Sequence, residues 1–156
     1  MKQFFTAVLV LLSIATFCQT DHSLQRKKEF NLSKAGIGLS GYDIVSYFQQ
    51  NKAVKGSSNF TVVYEGVTYY FSSQENKEIF QKNPSQYEPQ YGGWCAYAMG
   101  SDGSKVEVDP ETFKINNGKL YLFYHTFFNN TLNKWNADEA RLKKNADANW
   151  IKIYKP

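Results

Sequence analysis

The sequence predicts an α+β fold: a small, mostly antiparallel sheet built from hairpins, packed against short helices, with a C-terminal helical segment. Three observations predict it. Residues 60–64 and 67–71 alternate around Glu65 and Gly66, and a second pair of apolar runs meets at Asn117 and Gly118, the strongest hairpin turn in the chain. Helical periods with recognisable starts lie between and after these hairpins. The length of 156 residues, with 42% hydrophobic and 17% aromatic residues, suits one core and argues against disorder.

From the N-terminus, Lys2 precedes an apolar run over 4–12, followed by Ser13, Ala15, Thr16 and Cys18, the order of a secretory signal peptide over 1–18. Cleavage after Cys18 or after Thr20 uses small residues, so the protein is expected to be exported, periplasmic or extracellular in a bacterium. Phe17 is too bulky for the position before a lipidated cysteine, which disfavours a lipoprotein. No other stretch approaches the roughly 20 apolar residues of a transmembrane helix. The formal charge of +4, low and dispersed, does not make a nucleic-acid footprint. Residues 19–38, with Arg26, Lys27, Lys28, Gly36 and Gly38, have no sustained period and are expected to be a flexible spacer before a domain over 39–156.

Within that domain, Asp43 can cap a short helix carrying Ile44, Val45, Tyr47 and Phe48. After the first hairpin, Ser72 and Glu75 form a capping box for a helix over about 73–82, stopped by Asn83 and Pro84. Val106 and Val108, then Phe113 and Ile115, lead through Asn117 and Gly118 into residues 120–124. That last strand is apolar on both faces and is expected to be central. Phe127, Phe128, Leu132 and Trp135 suggest one amphipathic helix. Asn136 with Glu139 restarts another, with an apolar face of Leu142, Ala146, Trp150 and Ile153.

Three blocks carry a resemblance: Gly41 to Phe48 (GYDIVSYF), then Tyr69 to Ser73 (YYFSS) with Phe80, Asn83 and Pro84, then Gly92 to Ala96 (GGWCA). Together they resemble the YHS-domain proteins over about residues 39–155, and the tail over 147–150 is similar to the exported single-domain branch. The resemblance implies a small treble-clef-like module. In metal-handling relatives it implies cysteines at positions that here read Ser46, Ser72 and Asn76, so the soft-ligand set is missing and Ser72 reads as a helix cap. The exported branch carries a cysteine matching Cys95, and similar proteins are sometimes labelled selenoproteins, which implies chemistry at that position.

Cys95 has no intramolecular partner once Cys18 is removed, and a lone thiol outside the cytosol reads as a buried inert group, an intermolecular bridge, a metal ligand or a redox centre. Gly92 and Gly93 would let a ligand or a neighbouring chain approach it. Trp94 and Tyr97, with Met99, could wall a pocket for a planar cofactor such as haem, or be ordinary core. His125 is the histidine of the proposed domain and the natural partner of Cys95 as a metal ligand or thiol activator. None of the local sequence of papain-like hydrolases surrounds Cys95. Asp43 and Asp109 read as cap or turn residues, and Glu107, Asp109 and Glu111 as solvated charge or a site for a hard cation. Asn31, Asn59 and Asn129 stand in glycan-acceptor triplets that matter only in a eukaryotic host.

These readings give three functions. The first is an exported binding module holding a soft transition-metal ion or metal cofactor through Cys95 with His125. The second is a thiol redox protein that lacks a resolving cysteine and needs an external reductant. The third is a non-catalytic structural or interaction domain with Cys95 buried. The first and third are not enzymes, and the identity of any small ligand is not legible.

Overall fold

The computed structural model describes residues 22–155. The expected signal segment, its cleavage sites and Cys18 lie outside the described residues. Residues 22–29 form helix α1. It is followed by α2 (Ile44–Gln49), β1 (Ser57–Tyr64), β2 (Val67–Phe71), α3 (Gln74–Lys82), α4 (Pro84–Tyr87), α5 (Ala96–Ser101), β3 (Asp109–Asn116), β4 (Lys119–Phe123), β5 (His125–Thr126), β6 (Asn129–Asn130), α6 (Thr131–Ala137) and α7 (Glu139–Ile153). The strands pair as three antiparallel hairpins, β1–β2, β3–β4 and β5–β6. The fold is α+β with hairpins and a C-terminal helix, as the periodicity predicts.

Local chemistry sets the element ends. Asp43 caps α2, accepting the Val45 N–H at 2.9 Å, and Asn130 caps α6, accepting the Leu132 N–H at 3.0 Å. Ser73, not Ser72, caps α3 by accepting the Asn76 N–H at 3.1 Å. The capping-box reading is therefore off by one residue, because the Ser72 hydroxyl is taken by a tertiary partner described below.

Strand β4 explains its two apolar faces. Leu120 and Leu122 join one core with Ile44, Val45, Tyr47, Tyr69, Phe71 and Phe80. Tyr121 and Phe123 join a second with Ala96, Met99, Trp135, Leu142 and Ala146. A period of two thus sends alternate side chains into two cores, and all four are essentially inaccessible to solvent. The expected central strand is central between layers rather than within a wide sheet. One edge pairs with β3, and the other meets the chain only through parallel bridges at Pro89 and Cys95.

Two other expectations are corrected. The stretch read as a spacer holds α1, whose Arg26 is 3% exposed. Arg26 pairs with Glu88 and with Glu65 at 3.1 Å, and lies over the rings of Phe30 and Tyr64. The Tyr69 hydroxyl donates to the same Glu88 at 2.5 Å. Burial alone would lower the guanidinium pKa, but Glu88, then Tyr69 and Glu65, outweigh it and raise it. Phe127 and Phe128, expected on a helix, instead form the turn between β5 and β6 and are almost fully exposed. Helix α6 starts only at Thr131, where Asn130 supplies the cap.

Candidate functional site

Cys95 is buried beside Leu122 of β4. Its N–H donates to the Val106 carbonyl at 3.0 Å, and it opens α5 immediately beside β4. The side chain is 0% exposed. The Tyr124 N–H donates to Sγ at 3.3 Å, and Sγ lies 3.4 Å from the Thr131 hydroxyl oxygen. That hydroxyl donates its own proton to the Tyr124 carbonyl at 2.7 Å. A hydroxyl has one proton to give, so the thiol is the donor toward Thr131. The sulfur therefore accepts one hydrogen bond and donates one, tying β4, α5 and the start of α6 together, and behaves as a small core group.

The room that Gly92 was expected to leave for a ligand is filled by the chain itself, while Gly93 makes only ordinary contacts with Pro89 and Asn31. Tyr91, Gly92 and Gly93 all have positive φ. A Cβ on Gly92 would come within 2.8 Å of Trp150 and 2.9 Å of Phe30, so close approach of these rings, not of a ligand, requires the glycine. Tyr91 is fixed at its far end by donating to Asp147 at 2.9 Å, and burial, then Asp147, pushes its phenol pKa up. Trp94 donates its indole N–H to the Glu29 carbonyl at 2.7 Å. Trp94 and Tyr97 both pack against the second core.

His125 is not placed as a partner of that sulfur. Its ring is exposed, and Nδ1 lies 3.2 Å from an Asp109 carboxylate oxygen. Burial works to raise the Asp109 pKa, but the Glu111 N–H, the Thr112 hydroxyl and His125 outweigh it and hold the carboxyl below its ordinary range. Asp109 is therefore a turn and pairing residue. Among the described residues, no three His, Cys, Asp or Glu side chains converge as a metal-binding group.

The three positions at which the resemblance implies cysteines, Ser46, Ser72 and Asn76, do come together, around a residue the sequence offered only as a cap. Asp43 is 0% exposed. One carboxylate oxygen caps α2, and the other accepts from the Ser72 N–H at 2.8 Å, the Ser72 hydroxyl at 2.6 Å and the Asn76 side-chain amide at 2.7 Å. Ser46 lies one turn along α2, its hydroxyl oxygen 2.7 Å from the Asp43 carbonyl and 2.8 Å from the Lys52 carbonyl, two backbone acceptors that share its single proton. The buried carboxylate is thus held by four donors from Val45, Ser72 and Asn76, while the Ser46 hydroxyl is engaged by the backbone beside it. This donor set does not fit a zinc or copper(I) ion. The sequence signal was available, since Asp43, Ser46, Ser72 and Asn76 all fall in the quoted blocks, but their convergence is tertiary.

Residues 45–91 match the family model described as YHS domain. The chain carries a YHS domain. The matched segment includes most of α2, the first hairpin, α3 and α4, and it stops just before the chain turns through Gly92 toward Cys95, so Asp43 and Cys95 lie outside it. No curated protein and no solved structure matches the chain. A shallow recess of about 360 Å³ is bordered by Ser33, Ser40, Lys55 and Tyr70. There Lys55 Nζ lies 3.7 Å from the centre of the Tyr42 ring and donates to the Ser40 carbonyl at 3.3 Å. No helix among the described residues is long and apolar enough to cross a membrane.

Proposed function

We propose that this protein is a non-catalytic binding module of the YHS type, exported by its N-terminal segment, in which Cys95 is a structural thiol. The observation that carries the reading is the closed environment of the Cys95 sulfur, which has no exposed surface and has both its donor and its acceptor capacity used. A soft-metal role for Cys95 with His125 would require Sγ to give up Thr131 and Tyr124, and His125 to give up Asp109. A redox role would require an oxidant or partner thiol to reach an atom that water does not reach. Binding in this reading belongs to the surface of the fold. The recess beside Lys55, walled by Ile37, Gly41, Gly56 and Tyr70, offers a mostly apolar surface with a cation at its rim to a small ligand.

Metal analysis of freshly purified protein, beside the Cys95→Ser variant, tests this. The structural reading predicts no stoichiometric soft metal in either protein. Stoichiometric metal in the wild type that disappears in Cys95→Ser would contradict it and restore the metal-binding reading.

A further inference from the structure

We propose that the tip of the β5–β6 hairpin, Phe127 and Phe128, is an anchor that inserts into an anionic lipid surface. It stands independently of the role given to Cys95. Thr126 pairs with Asn129, which leaves the two phenylalanines as the entire loop. They are 93% and 94% exposed and meet edge to face at 4.8 Å between ring centres.

The turn chemistry marks these residues as unusual. Tight two-residue hairpins favour turns with positive φ, which match the right-handed twist of the strands. The other two hairpins obey this, with positive φ at Glu65 and Gly66 and at Asn117 and Gly118. Neither phenylalanine has positive φ, so this turn departs from the type of the other two, and two fully hydrated aromatic rings at its tip are unfavourable in water. Nothing in the packing of the fold calls for aromatic rings there, because both point away from the two cores.

Size and charge favour a lipid surface over a protein partner. Two phenylalanine side chains supply about 150–250 Å² each, well short of the roughly 800 Å² per partner of a stable protein interface. The residues beside them, His125 and Thr126, are exposed and polar, so the patch does not extend. A convex apolar tip needs no complementary pocket in a bilayer, where polar flanks can stay at the headgroups. Between the tip and the end of α6 the chain carries Lys134 and no Asp or Glu, with Asp138 and Glu139 following α6. The carboxylate that faces the base of the tip, Asp109, is engaged by His125. The formal charge, +4 for the full sequence and 17 − 14 = +3 without Lys2 of the expected signal segment, favours anionic over zwitterionic lipid.

The test is co-sedimentation of the full chain with phosphatidylcholine vesicles, with and without phosphatidylglycerol, for the wild type, Phe127→Ser, Phe128→Ser and the double variant. The expected result is sedimentation with the anionic vesicles that falls about tenfold for each single variant and further for the double variant. Thermal unfolding should be unchanged, since neither ring is part of a core. Equal sedimentation of wild type and double variant would assign any binding to another segment, such as residues 4–12, and overturn the proposal. Absence of sedimentation by the wild type would do the same. Self-association of the wild type, lost in the double variant with no vesicle binding, would assign the tip to a second copy of the chain and also overturn it.

Discussion

Two buried polar sites, one in each half of the molecule, show how differently a charge and a thiol are accommodated. In the N-terminal half, just before the segment that matches the YHS model, the Asp43 carboxylate takes four hydrogen bonds from the backbone and side chains of three residues on α2, at Ser72 and on α3. In the C-terminal half, the Cys95 thiol makes two longer contacts in an otherwise apolar setting. A buried charge is tolerated only with a full set of donors, whereas a thiol packs much as a methyl group does. The first site is therefore a rigid knot that holds the YHS segment together, and the second is a filler with modest directional bonds. Neither arrangement leaves a group free to react.

The largest expected effect breaks the first side of that comparison. Asp43→Ala strands the Val45 and Ser72 N–H groups and the Asn76 amide in the core. With each stranded donor costing about 1–3 kcal/mol, the loss should be about 4 kcal/mol or more in urea unfolding. Asp43→Asn, which keeps one acceptor but turns an amide N–H₂ toward donors, should fall between wild type and alanine. A loss below about 1 kcal/mol for Asp43→Ala would mean the knot is not structural.

A smaller effect probes the packing around the second site. Gly100 of α5 lies so close to α7 that an added Cβ would sit 2.3 Å from the Leu142 carbonyl oxygen. Gly100→Ala should therefore push the two helices apart and cost about 2–3 kcal/mol, visible as a lower thermal midpoint. Cys95→Ala, which leaves a small cavity and two weakly bonded groups, should cost about 1–2 kcal/mol. The ordering Asp43→Ala, Gly100→Ala, Cys95→Ala is itself the prediction, and a Cys95 effect exceeding that of Asp43 would invert the comparison.

The smallest effect is a pH dependence at the edges of the two halves. The Lys105 ammonium, which hydrogen-bonds Glu29, holds that carboxyl below its ordinary range against burial. Lys114 and Asn116 do the same for Glu139, again against burial. Depressed folded-state values mean that each carboxylate stabilises the fold above its unfolded pKa, near 4.3 for Glu, and that this contribution disappears as pH falls through the lower folded value. Stability should therefore decline below about pH 4. The Lys105→Met variant should show a shallower decline over the same window, measured by thermal unfolding at several pH values.

Much of the architecture was legible because it is written in local chemistry. Asp43 before Ile44 and Val45, the alternation across Glu65 and Gly66, and the spacing of Leu142, Ala146 and Trp150 each mark an element without reference to anything distant. The misses share one cause. Arg26 looked like part of a solvated basic run, since nothing nearby in sequence shows that Glu65 and Glu88 will enclose it. Ser72 and Ser73 are equally good caps on paper, and only the position of Asp43, 29 residues away, decides which one caps α3. Phe127 and Phe128 fit a helical period with Leu132 and Trp135, but the short β5–β6 pairing and the Asn130 cap win locally. At the candidate site, the residue types were right and their geometry was hidden. Cys95 and His125 both lie near the end of β4, yet one faces the core and the other faces solvent and Asp109.

Alkylation of Cys95 in the native and the unfolded protein tests the central claim most directly, with Cys95→Ser run in parallel to subtract any labelling of Cys18. The account predicts that the Cys95 thiol stays unlabelled while the protein is folded and reacts fully once denaturant opens the core. Rapid labelling in the folded protein, at a rate close to that of the denatured chain, would contradict it.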